Sequence, residues 1–77
     1  MITYGIVLFH TTSSAFRAEK VLKKAGLDCE FIPTPRQFSS DCGIAARFDW
    51  NKSNAVADAL NAARVEVAGI RGLAADS

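Results

Sequence analysis

The sequence is poor in the residues that build disulfide-stapled or metal-bound small domains. Its 77 residues include two cysteines, Cys29 and Cys42, and one histidine, His10. Two cysteines are too few for a disulfide scaffold. They form no C-x-x-C pair, so neither a thioredoxin-type dithiol nor a copper-chaperone loop is expected. With a single histidine they do not complete a closed zinc site, and no metal centre is expected. A glycine-rich phosphate loop is missing as well. So is an excess of charge of one sign: nine Lys/Arg face eight Asp/Glu, for a net +1. That balance leaves no basic stripe for nucleic acid and no polybasic membrane anchor. The longest apolar run, Ile6 to Phe9 behind Tyr4 and Gly5, is far short of the ~20 residues of a membrane span. No basic residue precedes it and no small-residue cleavage site follows, so it does not read as a signal peptide. The expectation is a cytoplasmic protein with no nucleic-acid or membrane partner.

What is present, 49% apolar and 22% charged residues, suits one small domain spanning residues 1–77. A chain of this length buries only about 60% of its unfolded surface, which allows one thin core. Thr3 to Phe9 is β-branched and aromatic and predicts a central strand, apolar on both faces. His10 to Ser14 then offers several hydroxyl N-caps. Ala15, Ala18, Leu22 and Ala25 recur at helical spacing, with Phe16 and Val21 widening the stripe, until Gly26 stops the helix. Arg17, Lys20, Lys23 and Lys24 read as its solvated face. Leu27, Cys29 and Phe31 alternate with Asp28 and Glu30, predicting a second strand that Pro33 and Pro35 end. After a loop over 33–41, Ile44, Ala46 and Phe48 predict a third strand. Asp49 or Asn51 can cap a second helix with Val56, Ala59, Leu60 and Ala63 as its core face, and Trp50 is expected to cover the end of the core. Val65 to Ala68 predicts a short fourth strand, and the tail from Gly69, residues 70–77 above all, is expected to fray.

The order β-α-β-β-α-β with right-handed crossovers predicts an α/β chain of the α+β sandwich kind. Its form would be ferredoxin-like: a four-stranded antiparallel sheet of order 4-1-3-2 with two helices on one face. That arrangement brings His10, the first turn of helix 1 and the Cys42-Gly43 entry to strand 3 to one edge, under the 33–41 loop. Thiolate is the reactive form of cysteine, and a helix N-terminus or a cation lowers a thiol's pKa. Protonated His10 would act this way, as would Arg36 or Arg47 within reach. Asp41 works in the opposite direction, and the expectation is a lowered pKa at an open Cys42.

Blander readings stand beside these. Free cysteines are often small buried hydrophobes, and Cys29, on the inner face of strand 2, fits that role. Cys42 follows Gln37, Ser39, Ser40 and Asp41 and fits it poorly. Taken alone, His10 reads as a strand-end residue satisfied by backbone. Gly43 either permits a tight strand entry or leaves backbone open to a ligand. Pairing Ile32 with Gly43 puts Cys29 opposite Ala46, on the order of 10 Å from Cys42 at ~3.4 Å per residue. A disulfide needs Cα atoms within ~7 Å, so single-thiol chemistry is what remains.

The run 31-FIPTPRQFSSDCGIAARF-48 resembles the family of small selenium/sulfur carrier-like proteins. The carrying residues are the Pro33-x-Pro35-Arg36 turn, Ser39 and Ser40, then Cys42-Gly43 entering an apolar strand. Phe9, the Thr/Ser cluster before Ala15, Glu19-Lys20, Leu22-Lys23 and Gly26 are similar too, so the likeness covers roughly the first 48 residues. It implies a carrier and not an enzyme, with Cys42 holding sulfur or selenium as a persulfide or selenosulfide. His10 would then stabilise the thiolate and Gly43 leave room for the extra atom. Donor and acceptor proteins are implied, and no cofactor. The alternative is a non-catalytic binding module of the same fold with a structural cysteine. It would associate, as a homodimer for instance, through the helix-free sheet face: Gly5, Val7 and Phe9, or Ile6 and Leu8, beside Ala45 and Arg47. An RNA-reading sheet is disfavoured because strand 3 reads GIAARF. A small thiol reductase would need a pocket that 77 residues leave little room for.

Overall fold

The computed structural model describes residues 3–38 and 42–73. The chain runs β1 (Tyr4–Leu8), α1 (Thr12–Lys24), β2 (Glu30–Pro33), β3 (Ile44–Asp49), a 3-10 turn (Trp50–Lys52), α2 (Ser53–Ala62) and β4 (Gly69–Leu73). The four strands pair antiparallel in the order β2-β3-β1-β4. This is the predicted α+β sheet read from its other edge.

The hydroxyl cluster sets the start of α1. Thr11 is the N-cap, and its Oγ1 accepts from the Ser14 backbone N–H at 3.2 Å, satisfying one of the helix's orphan donors. Ala15, Ala18 and Leu22 form the fully buried stripe. Burial of a leucine such as Leu22 contributes about 1.5–3 kcal/mol. Gly26, at φ 76°, ends the helix: its N–H bonds the Lys23 carbonyl and the Leu27 N–H bonds the Leu22 carbonyl, a Schellman closure. α2 closes by the same bonds, from Arg64 to Asn61 and from Val65 to Leu60. There the left-handed position, φ 56°, is held by Arg64 and not by glycine. The two helices are also tied together, since Arg17 Nη2 donates to the Ala63 carbonyl at 3.0 Å.

Val7, Phe9, Ala46 and Phe48 face the helices and share one buried cluster with Ala15, Ala18, Leu22, Val56 and Leu60. Gly5 lies on the same side. A Cβ there would stand 2.5 Å from Phe48 Cζ and 2.7 Å from Trp50 Cε3. Its absence lets the stacked Phe48–Trp50 pair, 6.2 Å between centroids, lie over β1 and close that end of the core. Asp49 caps the turn beneath Trp50, its Oδ1 accepting from the Asn51 N–H at 3.1 Å. On the helix-free face Ile6, Leu8 and Ala45 are buried too, packed by Tyr4, Ile32, Phe38, Ala68 and Leu73. β1 is therefore apolar on both faces, as expected of a central strand.

Besides the start of β2, which is Glu30 and not Leu27 and so leaves Cys29 before the strand, two placements differ from the sequence-based expectation. The fourth strand is Gly69–Leu73 and not Val65–Ala68. Val65 is spent on closing α2, where its side chain packs back into the helix-side cluster. The Gly-Ile-Arg-Gly-Leu strand then forms against β1, from Leu8↔Gly69 to Tyr4↔Leu73. The frayed tail was expected from residue 70, yet 70–73 are in the sheet; 74–77 lie outside the described residues. The second difference is the β2–β3 register. Ile32 pairs with Ala45 and not with Gly43, because the hairpin is closed farther along, where Thr34 N–H bonds the Gly43 carbonyl.

Candidate functional site

The β1–β3 register ends at Leu8↔Ala45. The chain leaving β1 through Phe9 and His10 therefore runs beside the chain entering β3 through Cys42 and Gly43. α1 starts at Thr12, at the same end of the sheet. Cys42, His10 and the N-terminus of α1 thus share one end of the sandwich while being distant in sequence.

Cys42 is 4% exposed and belongs to the helix-side cluster that includes Phe9 and Ala15. This corrects the expectation of an open sulfur. Position 42 has the parity of Ile44, Ala46 and Phe48, so strand entry turns its side chain under the helices and not into solvent. The segment before it is held by Thr34, whose Oγ1 donates to the Cys42 carbonyl at 3.0 Å. A turn follows, with Phe38 N–H bonding the Pro35 carbonyl. Arg36 sits exposed in that turn, and His10 is exposed where β1 ends. Arg47 is elsewhere: on the helix-free face it pairs with Glu30 at 2.5 Å and lies 5.6 Å from the centre of the Tyr4 ring. It is therefore committed away from Cys42. Gly43 is exposed, and a Cβ there would meet nothing within 4 Å. Ser39, Ser40 and Asp41 lie outside the described residues.

Cys29 stands at the opposite end, half-buried, just before β2. Burial pushes its thiol pKa up; Glu19 and Asp28 push the same way and Lys23 opposes them. It lines an open groove of about 460 Å³ with Tyr4, Glu30, Arg47 and Asp49 among the other walls. Both cysteines carry thiols. Since Glu30 pairs with Arg47, Cys29 lies level with Phe48, about 20 Å along β3 from Cys42 at ~3.4 Å per residue. The corrected register moves Cys29 two residues, about 7 Å, farther along β3 from Cys42. An internal disulfide is excluded more firmly than before.

Thr34 and Phe38 were not singled out from the sequence. The signal was present, a lone aromatic in the polar Arg36-Gln37-Phe38-Ser39-Ser40 stretch and a hydroxyl between two prolines. Among the described residues no group of His, Cys, Asp and Glu could hold a metal ion. Nor is any described helix long and apolar enough to cross a membrane.

No curated protein and no solved structure matches the chain. The family model described as "Putative Se/S carrier protein-like" matches residues 4–71, from the first residue of β1 into β4. It takes in both cysteines and both helices, well beyond the first 48 residues on which the resemblance was read. The chain belongs to that selenium/sulfur carrier-like family.

Proposed function

We propose that the protein carries sulfur or selenium between a donor and an acceptor protein, with the atom held on Cys42. The observation that carries this reading is the place of Cys42. It sits at the entry to β3, at the end where α1 begins and next to a glycine with open space beside it. Cys29 has none of these features, and its raised pKa keeps it a thiol.

The transfer balances without an outside oxidant. The Cys42 thiolate attacks the terminal sulfur of a donor persulfide. A new S–S bond forms to Cys42, the donor's own S–S bond breaks, and the donor leaves as a thiolate. An acceptor thiolate repeats the exchange in the other direction and frees Cys42. The sulfane atom keeps its oxidation state throughout, and a selenosulfide follows the same scheme. His10 and the first turn of α1 would favour the anion; Arg36, exposed in the turn before it, would add positive potential for an incoming anionic persulfide. Burial serves this role, since a persulfide shielded from water and small thiols keeps its labile outer atom. The chain acts as a carrier and not as an enzyme, in a cytoplasmic, reducing setting that keeps both thiols available.

Intact-mass measurement after incubation with a persulfide donor tests the reading. Wild type and Cys29→Ser are expected to gain one sulfur atom, and Cys42→Ser none. An adduct on Cys42→Ser, or on no variant, overturns it.

A further inference from the structure

The proposed transfer requires the Cys42 sulfur to meet a partner's, yet the sulfur is buried. The chain around it shows what holds it in. The segment leading into β3 is anchored on both faces of the sheet at once. Phe38 packs on the helix-free face, with the cluster of Ile6, Leu8 and Ala45. Cys42 packs on the opposite, helix-covered face, with the cluster that includes Phe9 and Ala15. The Phe38 N–H bonds the Pro35 carbonyl, which fixes how the ring approaches the sheet. Thr34 fastens the returning chain twice, through its N–H to the Gly43 carbonyl and through its Oγ1 to the Cys42 carbonyl, each at 3.0 Å.

These fasteners differ in strength. Arg36 and Gln37, the neighbours of Phe38 in the turn, are exposed. Beside Cys42 itself and the half-buried Pro35, the ring is thus the large apolar attachment of the described part of this segment. Segments with few apolar contacts open locally at low free energy, so removing the ring should make opening much more frequent. The Thr34 hydroxyl makes one hydrogen bond to a partly buried carbonyl, a smaller contribution.

We infer that Phe38 is a positioning residue for Cys42: its docking on the sheet face opposite the thiol sets how often the sulfur comes within a partner's reach. The Thr34 hydroxyl is the second, weaker fastener. The inference takes its purpose from the carrier reading, but its test reads the thiol and not the cargo.

The test is the rate at which iodoacetamide modifies Cys42 in a Cys29→Ser background, with folding checked by thermal unfolding. Phe38→Ala is expected to be modified at least about tenfold faster than its parent, Thr34→Val roughly two- to fivefold faster, and Phe38→Leu close to the parent rate. A companion chain carrying Cys42→Ser reports on Cys29 at the far end, where Phe38→Ala should leave the rate unchanged. A Cys42 rate in Phe38→Ala within about twofold of the parent overturns the inference. So does a matching rise at Cys29, which would mean that the whole fold has loosened. Should Phe38→Ala not fold, Phe38→Val carries the same comparison. Absence of sulfur transfer with this rate pattern intact would remove the carrier reading alone, and the reverse result would remove only the role of Phe38.

Discussion

The two ends of the sandwich are built to different standards. At the Cys29 end, beside the open groove, the turns are made by residues that suit them. Gly26 takes the left-handed position that closes α1, Gly5 makes space for the Phe48–Trp50 stack, and Asp49 caps the turn into α2. At the Cys42 end Phe9 and Ala15 are fully buried, but one backbone position is strained. An arginine occupies the left-handed position that closes α2, Gly43 faces open space, and the described residues of the segment into β3 are anchored by the Phe38 ring, Thr34 and the buried Cys42 itself. The contrast teaches that burial and turn chemistry are separate: both ends are well buried, but only one has a residue at odds with its backbone position.

Paired substitutions can break or sharpen that contrast. The largest effect is expected at glycine positions. Gly5→Ala drives a methyl into Phe48 and Trp50 and should cost about 1–3 kcal/mol in urea denaturation, as overpacking does. Gly43→Ala, at the Cys42 end, should change stability by less than about 0.5 kcal/mol. Equal losses would erase the distinction. Next come the helix closures. Gly26→Ala should cost about 1 kcal/mol, because φ 76° crowds a Cβ. Arg64→Gly should stabilise the protein by a few tenths to about 1 kcal/mol, as relief from the left-handed penalty exceeds the added entropy of the unfolded chain. A destabilised Arg64→Gly would show that its side chain makes up for its backbone. The smallest effect is one of pH. The Cys29 thiol has its pKa raised above the ordinary 9.0 by burial and by Glu19 and Asp28. A raised folded value means that the folded protein holds the proton more tightly than the unfolded chain. The resulting stability is fully present below the unfolded value and is lost as pH rises through the folded one. Cys29→Ser should therefore flatten the alkaline side of the stability–pH curve, and an unchanged slope would count against the burial at that end.

Most of the architecture could be read from local chemistry, and the exceptions have identifiable causes. Thr11, Gly26 and the Ala15–Ala18–Leu22 stripe each say one thing at the level of a single turn, and the structure agrees with them. β4 was missed because Gly69–Leu73 carries almost no strand pattern of its own; pairing with the apolar edge of β1 makes it a strand. Val65-Glu66-Val67 alternates as a strand does, but the closure of α2 claims Val65 first. Around the candidate site two signals disagreed. The polar residues before Cys42 suggested a surface position, whereas its parity with Ala46 and Phe48 suggested the interior, and packing decided for parity. That Cys42, His10 and the start of α1 lie at one end of the sheet could be read from topology alone. The depth of the sulfur could not, because the two local signals opposed each other and only packing in the cluster with Phe9 and Ala15 decides between them.

Arg71 has a bearing on what the outer margins of the sheet can do. Its guanidinium folds back over Gly69, where a Cβ would stand 2.9 Å from Nη1, and donates to the Ile70 carbonyl at 3.1 Å. On the other margin, Pro33 ends β2 without an N–H to offer. Each border strand thus has part of its hydrogen-bonding row occupied or missing. Such borders are poor templates for the strand-on-strand growth that leads small β-containing proteins to aggregate.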